Sequence, residues 1–318
     1  SQGAHKAMVY ERIPWGILVD ENVTPERLRR FPVVLLPNAA ILSEREISLL
    51  RAYVDAGGNL ILTGFSGMLG WRGEPQEESA LAELAGLHLV RRLASFDNWV
   101  RFAGHSKGPV SMLWQGSREE WPFLVKGPAA VLEATSAQPV GELLEPFRTT
   151  RQREGKEGTD WPMSASSPVG PAILLNGIGK GKVLTFACSP DYATASEHHI
   201  VEARALLADA VRFLNPNPRI RITAPKTVEA VVTDDPASRT LRVHLLGYNA
   251  PPQTTPPKDR PYILPGLIED TPLYRATIEL TEPIKRATVF NKSAVLRRHG
   301  RRLEVTVNDV HEIVILSY

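Results

Sequence analysis

The sequence contains a single cysteine, Cys188, among its 318 residues, so no intramolecular disulfide can form. It also lacks any apolar run near the roughly 20 residues that a membrane-spanning helix needs. Its first 12 residues do not have the layout of a signal peptide. Neither sign of charge dominates, because 37 Lys and Arg stand against 35 Asp and Glu. We therefore expect no membrane segment and no nucleic-acid partner, while the cellular compartment stays undetermined.

The composition that remains is that of an ordinary globular protein, with 43% hydrophobic and 23% charged residues. At roughly 150 residues per domain, this length predicts two domains. The segment Asn215-Pro216-Asn217-Pro218 marks the boundary, because two prolines stop a helix and favour an extended linker. The chain has no initiator methionine and runs directly into a helical pattern at residues 5–12. We therefore expect it to be a fragment of a longer polypeptide.

Residues 1–215 have the alternating pattern of an α/β domain. Apolar runs at residues 15–19, 31–36 and 59–63 alternate with helical patterns, which predicts βα units and a parallel sheet. Ser43 and Glu46 form a capping box that starts the second of these helices. A final amphipathic helix is predicted over residues 197–214.

Strand-like patterns dominate the rest of the chain. Residues 87–168 read as a β-rich insertion that ends in a long loop from residue 147. Residues 172–175 and 182–187 are predicted to pair across a glycine-rich turn. Residues 216–318 contain about seven short strands, which indicates a β-sandwich. The basic run at residues 297–302 is predicted to be the exposed tip of a hairpin.

Ser66 lies in the glycine-rich loop that follows the strand at residues 59–63. The sequence Gly64-Phe65-Ser66-Gly67-Met68 resembles a nucleophile elbow, but Met68 occupies the position where that motif has its second glycine. An autonomous hydrolase would use Ser66 as the nucleophile and a histidine such as His198 as the base. The plainer interpretation is a glycine-rich turn that lines a cleft at the end of a strand.

Asp191 and Tyr192 follow the strand that ends at Cys188, so we expect them to share a sheet edge with Ser66. His198 and His199 are adjacent on a helix and point to different faces, which argues against a metal site. We expect neither a metal nor a cofactor. Pairs drawn from Glu74, Asp97, Asp160 and Asp191 give no convincing glycosidase constellation.

All six tryptophans fall within the first 161 residues. Loop residues such as Trp71 and Trp161 could stack on a sugar, although single exposed aromatic residues are common in proteins and need no functional explanation. A carbohydrate-binding module is therefore a further hypothesis. The cleft candidates are Ser66, Trp71, Asp191, Tyr192 and His198.

Several segments resemble the β-galactosidase trimerisation domain, the middle domain of family 42 glycoside hydrolases. The segments are Val33-Val34-Leu35-Leu36-Pro37-Asn38, Arg51-Ala52-Tyr53-Val54-Asp55-Ala56-Gly57-Gly58, Leu60-Ile61-Leu62-Thr63-Gly64, Gly179-Lys180-Gly181-Lys182-Val183 and the helix at residues 206–214. Val243-His244-Leu245-Leu246-Gly247-Tyr248 is similar to a strand of the β-sandwich that follows in such enzymes.

This resemblance implies a flavodoxin-like, class I glutamine-amidotransferase-like α/β domain that has lost its amidotransferase chemistry. The elbow position holds Ser66 rather than cysteine, and Cys188 lies outside any G-x-C-x-G setting. In the family this domain builds a homo-oligomer and helps to wall the sugar site of an N-terminal catalytic barrel, which this chain lacks. The resemblance therefore implies a non-catalytic region of a β-galactosidase-like glycoside hydrolase, with no catalytic residue of its own.

Overall fold

A computed structural model describes residues 2–102, 121–147, 164–196, 200–247 and 274–318. The chain divides into two compact units, one of Ser1–Ala7 with Ile17–Pro216 and the other of Met8–Gly16 with Asn217–Tyr318. No helix in these described ranges is long and apolar enough to cross a membrane. The first helix, α1, spans Gln2–Tyr10.

The first unit combines short helices with nine strands in its described part. Its helices after α1 are a 3-10 turn at Asp20–Asn22, α2 (Pro25–Leu28), α3 (Glu44–Asp55), α4 (Ala82–Ala85), α5 (Pro190–Ala195) and α6 (Val201–Leu214). Its strands are β1 (Val33–Leu36), β2 (Asn59–Leu62), β3 (Leu87–Arg92), β4 (Asp97–Arg101), β5 (Phe123–Lys126), β6 (Ala130–Ala134), β7 (Gln138–Pro146), β8 (Ala165–Ile178) and β9 (Gly181–Phe186).

Local sequence signals explain where two of these helices begin. The Thr24 side chain accepts a hydrogen bond from the Arg27 amide, and Pro25 occupies the first turn of α2. At α3, Ser43 and Glu46 form the predicted capping box, with both reciprocal hydrogen bonds present. Leu50, Tyr53 and Val54 then form the buried face of α3. The predicted capping box is confirmed.

The main sheet has seven strands in the order β1-β2-β9-β8-β7-β4-β5. Only β1, β2 and β9 are parallel, and the other four strands pair antiparallel. The parallel sheet implied by the resemblance is therefore present only in β1, β2 and β9, and the whole sheet is mixed. The predicted pairing of residues 172–175 with 182–187 is present as an antiparallel hairpin of β8 and β9, because a tight turn at Gly179 joins them. The β-rich stretch thus extends the main sheet, while β3 and β6 pair separately.

The prediction of a strand at residues 15–19 is wrong. This segment has no regular secondary structure, and Trp15, Ile17 and Val19 are 40%, 74% and 45% exposed. Four of its five residues are apolar, which is typical of a buried strand. However, β1 is the edge of the sheet, and no strand pairs with its outer side in the described residues. The long loop predicted over residues 147–168 does not extend to residue 168, because residues 165–168 belong to β8. Residues 148–163 of that predicted loop lie outside the described part.

The second unit is a pair of four-stranded antiparallel sheets, ordered β10-β13-β16-β15 and β11-β12-β17-β14. Its strands are β10 (Ile220–Thr223), β11 (Val228–Asp235), β12 (Thr240–Gly247), β13 (Tyr274–Leu280), β14 (Arg286–Val289), β15 (Val295–His299), β16 (Arg302–Val307) and β17 (His311–Ser317). Alternating side chains such as Val243, Leu245, Ile278 and Val305 form one buried core. The β-sandwich prediction is consistent with this arrangement. The hairpin of β15 and β16 turns at Gly300, which lies within the predicted basic tip.

Candidate functional site

The candidate site lies where the three parallel strands β1, β2 and β9 end. Their carboxyl ends meet at one edge of the sheet, because the strands run in the same direction. The loops that follow contain Asn38, Ser66 and Asp191, and the site is built from the hydrogen bonds between these loops. The sequence prediction that Ser66 and Asp191 share this edge agrees with the strand positions.

Ser66 sits in a tight turn between Gly64 and Gly67, which have positive φ angles of 58° and 70°. Its hydroxyl lies 2.8 Å from the Thr63 carbonyl oxygen and 3.0 Å from that of Leu36, either of which accepts its proton. The Ala39 amide donates to the same hydroxyl at 3.1 Å. The side chain is buried, at 3% exposure. Every hydrogen bond to this hydroxyl in the described structure therefore comes from backbone groups, which gives Ser66 a structural role rather than that of an activated nucleophile.

Asn38 joins the loop after β1 to the turn after β2. It has a positive φ of 52°, a conformation that asparagine tolerates better than most residues. Its amide donates to the Thr63 hydroxyl oxygen at 3.0 Å, and its side-chain oxygen accepts from the Phe65 amide at 2.8 Å. Asn38 was not a predicted site residue. Its position after Pro37 at the end of an apolar run was the only sequence signal for it.

Asp191 is the buried acid of this site, with 3% exposure. Burial raises the pKa of its carboxyl group above the ordinary value, and a hydrogen bond with the Thr63 side chain partly opposes that shift. Its Oδ1 atom has no hydrogen-bond partner within the described ranges. A carboxyl group with one unpaired buried oxygen favours the protonated form, which can donate a hydrogen bond.

Cys188 lies at the end of β9 and is completely buried. Burial raises the pKa of its thiol, and Asp191 would raise it further whenever its carboxyl group is ionised. The thiol therefore stays protonated and unreactive. The Cys188 carbonyl accepts a hydrogen bond from the Gly64 amide at 2.9 Å, which ties the end of β9 to the turn that holds Ser66.

Tyr192 follows Asp191 and is 45% exposed. Its ring packs edge-to-face against Phe96, with the ring centroids 5.8 Å apart. Gly127 lies beneath it, and a Cβ atom there would come within 2.8 Å of the Tyr192 side chain. The Ser189 hydroxyl donates to the Pro128 carbonyl at 2.7 Å and anchors the same region. Phe96, itself 50% exposed, was missed from sequence because its contact depends on the pairing of β4 with β5.

The remaining candidates do not join this cluster in the described structure. Trp71 is 81% exposed in the loop after β2 and has no described contact with Asp191 or Tyr192. His198 lies outside the described residues, so its partnership with Ser66 stays a prediction. Within the described part of the chain, no group of three or more His, Cys, Asp or Glu side chains is arranged to hold a metal ion.

Comparisons of sequence found no relative of this chain. No protein-family model matches it, and no curated protein matches it. The resemblance to known proteins therefore comes from the fold.

Several solved structures share that fold along nearly the entire chain. An α-L-fucosidase, isoenzyme 2 from Paenibacillus thiaminolyticus, matches 99% of this chain with a TM-score of 0.72 and 17% identity. A β-galactosidase from Bacillus circulans sp. alkalophilus matches 99% with a TM-score of 0.59 and 14% identity. A family 42 β-galactosidase from G. stearothermophilus matches 99% with a TM-score of 0.57 and 15% identity.

This chain covers only 44%, 37% and 35% of those three chains, respectively. It therefore spans less than half the length of the enzymes that it resembles. The TM-scores show a common fold, whereas identities below 20% leave activity open. The chain is similar in fold to a part of each of several glycoside hydrolases.

Proposed function

We propose that this chain is the non-catalytic C-terminal region of a glycoside hydrolase similar to β-galactosidases. In this proposal, residues 1–215 form an amidotransferase-like, trimerisation-type domain that assembles the oligomer, and residues 216–318 form the β-sandwich domain. The first domain also walls the sugar site of a catalytic barrel that precedes it in the same polypeptide. The catalytic carboxylates would belong to that barrel.

One observation carries the proposal: the fold matches an α-L-fucosidase along 99% of this chain, yet accounts for 44% of the fucosidase. If this chain is part of a polypeptide as long as the fucosidase, more than half of that polypeptide is left for a catalytic domain. A (β/α)₈ barrel needs about 250 residues and would fit in that length. The backbone-bonded hydroxyl of Ser66 and the buried thiol of Cys188 further support a non-catalytic role.

The first test measures assembly and activity of the 318-residue chain by itself. We expect light scattering to give one defined homo-oligomer over a range of concentrations, and we expect no hydrolysis of p-nitrophenyl β-D-galactoside or α-L-fucoside. A monomer at high concentration would contradict the assembly role. Steady turnover that survives repurification would contradict the non-catalytic role.

A second test reads the coding sequence upstream of residue 1. An upstream reading frame of barrel size, with carboxylates at its strand ends, is the expected result. The longer protein should then hydrolyse a glycoside that the 318-residue chain does not. If the longer protein is inactive on β-galactosides and α-L-fucosides, the proposed substrate class is wrong. The proposed role in oligomer assembly is tested separately and could still be correct.

A carbohydrate-binding module is the second candidate function. The exposed rings of Trp71 and Tyr192 favour it, because aromatic faces in loops can stack on sugars. Calorimetry with galactose-containing and fucose-containing oligosaccharides tests this function directly. Heat of binding that disappears in Trp71→Ala or Tyr192→Ala would support carbohydrate binding. The absence of heat with all of these oligosaccharides would exclude binding to these sugars.

An autonomous serine hydrolase is the weaker alternative. The turn around Ser66 has two positive-φ glycines, as a nucleophile elbow would, but among the described residues the Ser66 hydroxyl has only backbone partners. Its proposed base, His198, lies outside the described residues. Unchanged ester hydrolysis after Ser66→Ala would eliminate this function.

A further inference from the structure

Two histidines face each other on the outer surface of the β-sandwich. His244 lies in β12 and His311 in β17, which are neighbouring antiparallel strands. His244 is paired with Ile313, and Leu246 is paired with His311, so the two histidines are diagonal neighbours. Buried residues alternate with them along both strands, which places both imidazoles on the same outward face.

The two rings meet nitrogen to nitrogen. His244 Nδ1 and His311 Nε2 are 3.1 Å apart. The ring centroids are 5.3 Å apart, and the ring planes differ by 14°. The centroid separation exceeds the nitrogen separation by about two ring radii, so both nitrogens lie on the line that joins the two ring centres. The rings are therefore nearly coplanar, and one facing nitrogen donates a hydrogen bond to the lone pair of the other.

This separation matches that of two imidazole ligands on one metal ion. Zinc–nitrogen bonds are about 2.0–2.1 Å, so two nitrogens on a tetrahedral zinc lie about 3.3–3.4 Å apart. The observed pair is within a few tenths of an ångström of that value. The two nitrogens point at each other along the line between the rings, so each ring must turn by about 35° to aim its lone pair at a shared tetrahedral ion. The shared proton moves to the distal nitrogen of its own ring by exchange with solvent.

We propose that His244 and His311 bind one divalent transition-metal ion such as Zn²⁺, Ni²⁺ or Cu²⁺ on the outer face of the sandwich. Imidazole suits these ions, whereas Mg²⁺ and Ca²⁺ prefer oxygen ligands. Water completes the coordination, since no third His, Cys, Asp or Glu joins the pair in the described residues. The site does not depend on the proposed glycoside-hydrolase function.

The surroundings set the expected strength of the site. Arg242 lies two residues before His244 on the same strand, and their side chains are on the same outward face. Arg242 opposes a bound cation by its charge. Glu229 of β11 is paired with Leu246, which places its carboxylate on the same outward face of the sheet. A site with two protein ligands in this setting should bind more weakly than a closed structural zinc site.

The experiment is a calorimetric titration of the 318-residue chain with ZnCl₂, NiCl₂ or MgCl₂ in a non-chelating buffer at pH 7.5. We compare the parent chain with His244→Gln and His311→Gln. His299→Gln is the matched control, because His299 is an exposed histidine of β15 in the opposite sheet. We expect the parent chain to bind one Zn²⁺ or one Ni²⁺ at this site. The affinity for either ion should fall by about 100-fold in His244→Gln or His311→Gln, because the second imidazole no longer acts at high effective concentration.

The same event should persist in His299→Gln and be absent with MgCl₂. Equal Zn²⁺ and Ni²⁺ affinities in the parent, His244→Gln and His311→Gln chains would overturn the proposal and leave the pair as a hydrogen bond only. Imidazole NMR provides a measurement that does not rely on the variants folding. Zn²⁺ must shift the His244 and His311 ring signals together at one metal per chain, and the absence of that joint shift would also refute the site.

Discussion

The backbone amide of Ala39 donates a 3.1 Å hydrogen bond to the hydroxyl of Ser66 and joins the loop after β1 to the turn after β2. Ser66→Ala removes this acceptor and leaves the partly buried Ala39 amide without its partner. We expect the free energy of unfolding to fall by about 1–3 kcal/mol. We also expect ester hydrolysis to stay at the background rate.

Urea denaturation followed by circular dichroism measures the first effect, and p-nitrophenyl acetate measures the second. Ser48→Ala is the control, because Ser48 is exposed on α3 and its hydroxyl only reaches back to the Glu44 carbonyl. It should change stability by less than about 0.5 kcal/mol. Loss of hydrolysis in Ser66→Ala with unchanged stability would instead favour a catalytic Ser66.

Gly64 is required by both its backbone conformation and its neighbours. Its φ is 58°, and a Cβ atom would come within 2.5 Å of both Asn38 Oδ1 and Ser189 Oγ. Gly73 in the same loop has a φ of 80° but nothing within 4 Å of the added Cβ. Gly73→Ala should therefore cost only the backbone strain of about 1–2 kcal/mol, whereas Gly64→Ala should cost clearly more. Equal midpoints of urea unfolding for the two variants would show that the crowding at Gly64 is relieved without cost.

Asp191 should make stability fall as pH rises. Burial raises the pKa of the Asp191 carboxyl in the folded protein above its ordinary value. A group with a raised folded pKa contributes stability that is complete below its unfolded pKa and is lost as pH rises through the folded pKa. We therefore expect Asp191→Asn to gain stability relative to the parent chain as pH rises from 4 to 8.

The measurement is urea unfolding of both chains across that range. Asp235→Asn is the matched control, because hydrogen bonds from Ser238 lower the pKa of the exposed Asp235 carboxyl. Its contribution has the opposite sign: it is present above the unfolded pKa and lost as pH falls. A constant difference between Asp191→Asn and the parent at every pH would show that Asp191 has the same pKa in the folded and unfolded chains.

Short-range signals in the sequence predicted local structure well. The capping box of Ser43 and Glu46, and Thr24 before Pro25, depend only on residues within one helical turn, and both are present in the structure. The strand predicted at residues 15–19 failed because a strand also needs a neighbour to pair with. No property of Ile17 itself indicates that this neighbour is absent.

The candidate site was predictable only in part for the same reason. The rule that ligands collect at the carboxyl ends of parallel strands placed Ser66 and Asp191 at one edge. Whether the Ser66 hydroxyl is free or bonded depends on Leu36 and Ala39, which lie some 30 residues earlier and reach it only through the pairing of β1 with β2. Hydrogen-bond partners of this kind need the fold before they can be identified.

Arg219 of the second unit forms a network that should stabilise the sandwich. Its guanidinium pairs with Glu282 at 2.6 Å and Asp234 at 2.5 Å, and it lies 4.4 Å from the centre of the Tyr318 ring. Arg219→Gln removes both ion pairs and the cation–π contact. We expect it to lower the free energy of unfolding by about 1–2 kcal/mol at pH 7.

The effect of Arg219 should also depend on pH. Burial acts to raise the pKa of Glu282, but hydrogen bonds from Arg219 and Thr281 outweigh it and hold that pKa below 4.5. A group with a lowered folded pKa contributes stability above its unfolded pKa and loses it as pH falls. The gap between parent and Arg219→Gln should therefore narrow below about pH 4.5. Arg275→Gln, at an exposed position of β13, serves as the control. A pH-independent gap would mean that Arg219 acts through packing on Tyr318 rather than through its carboxylate partners.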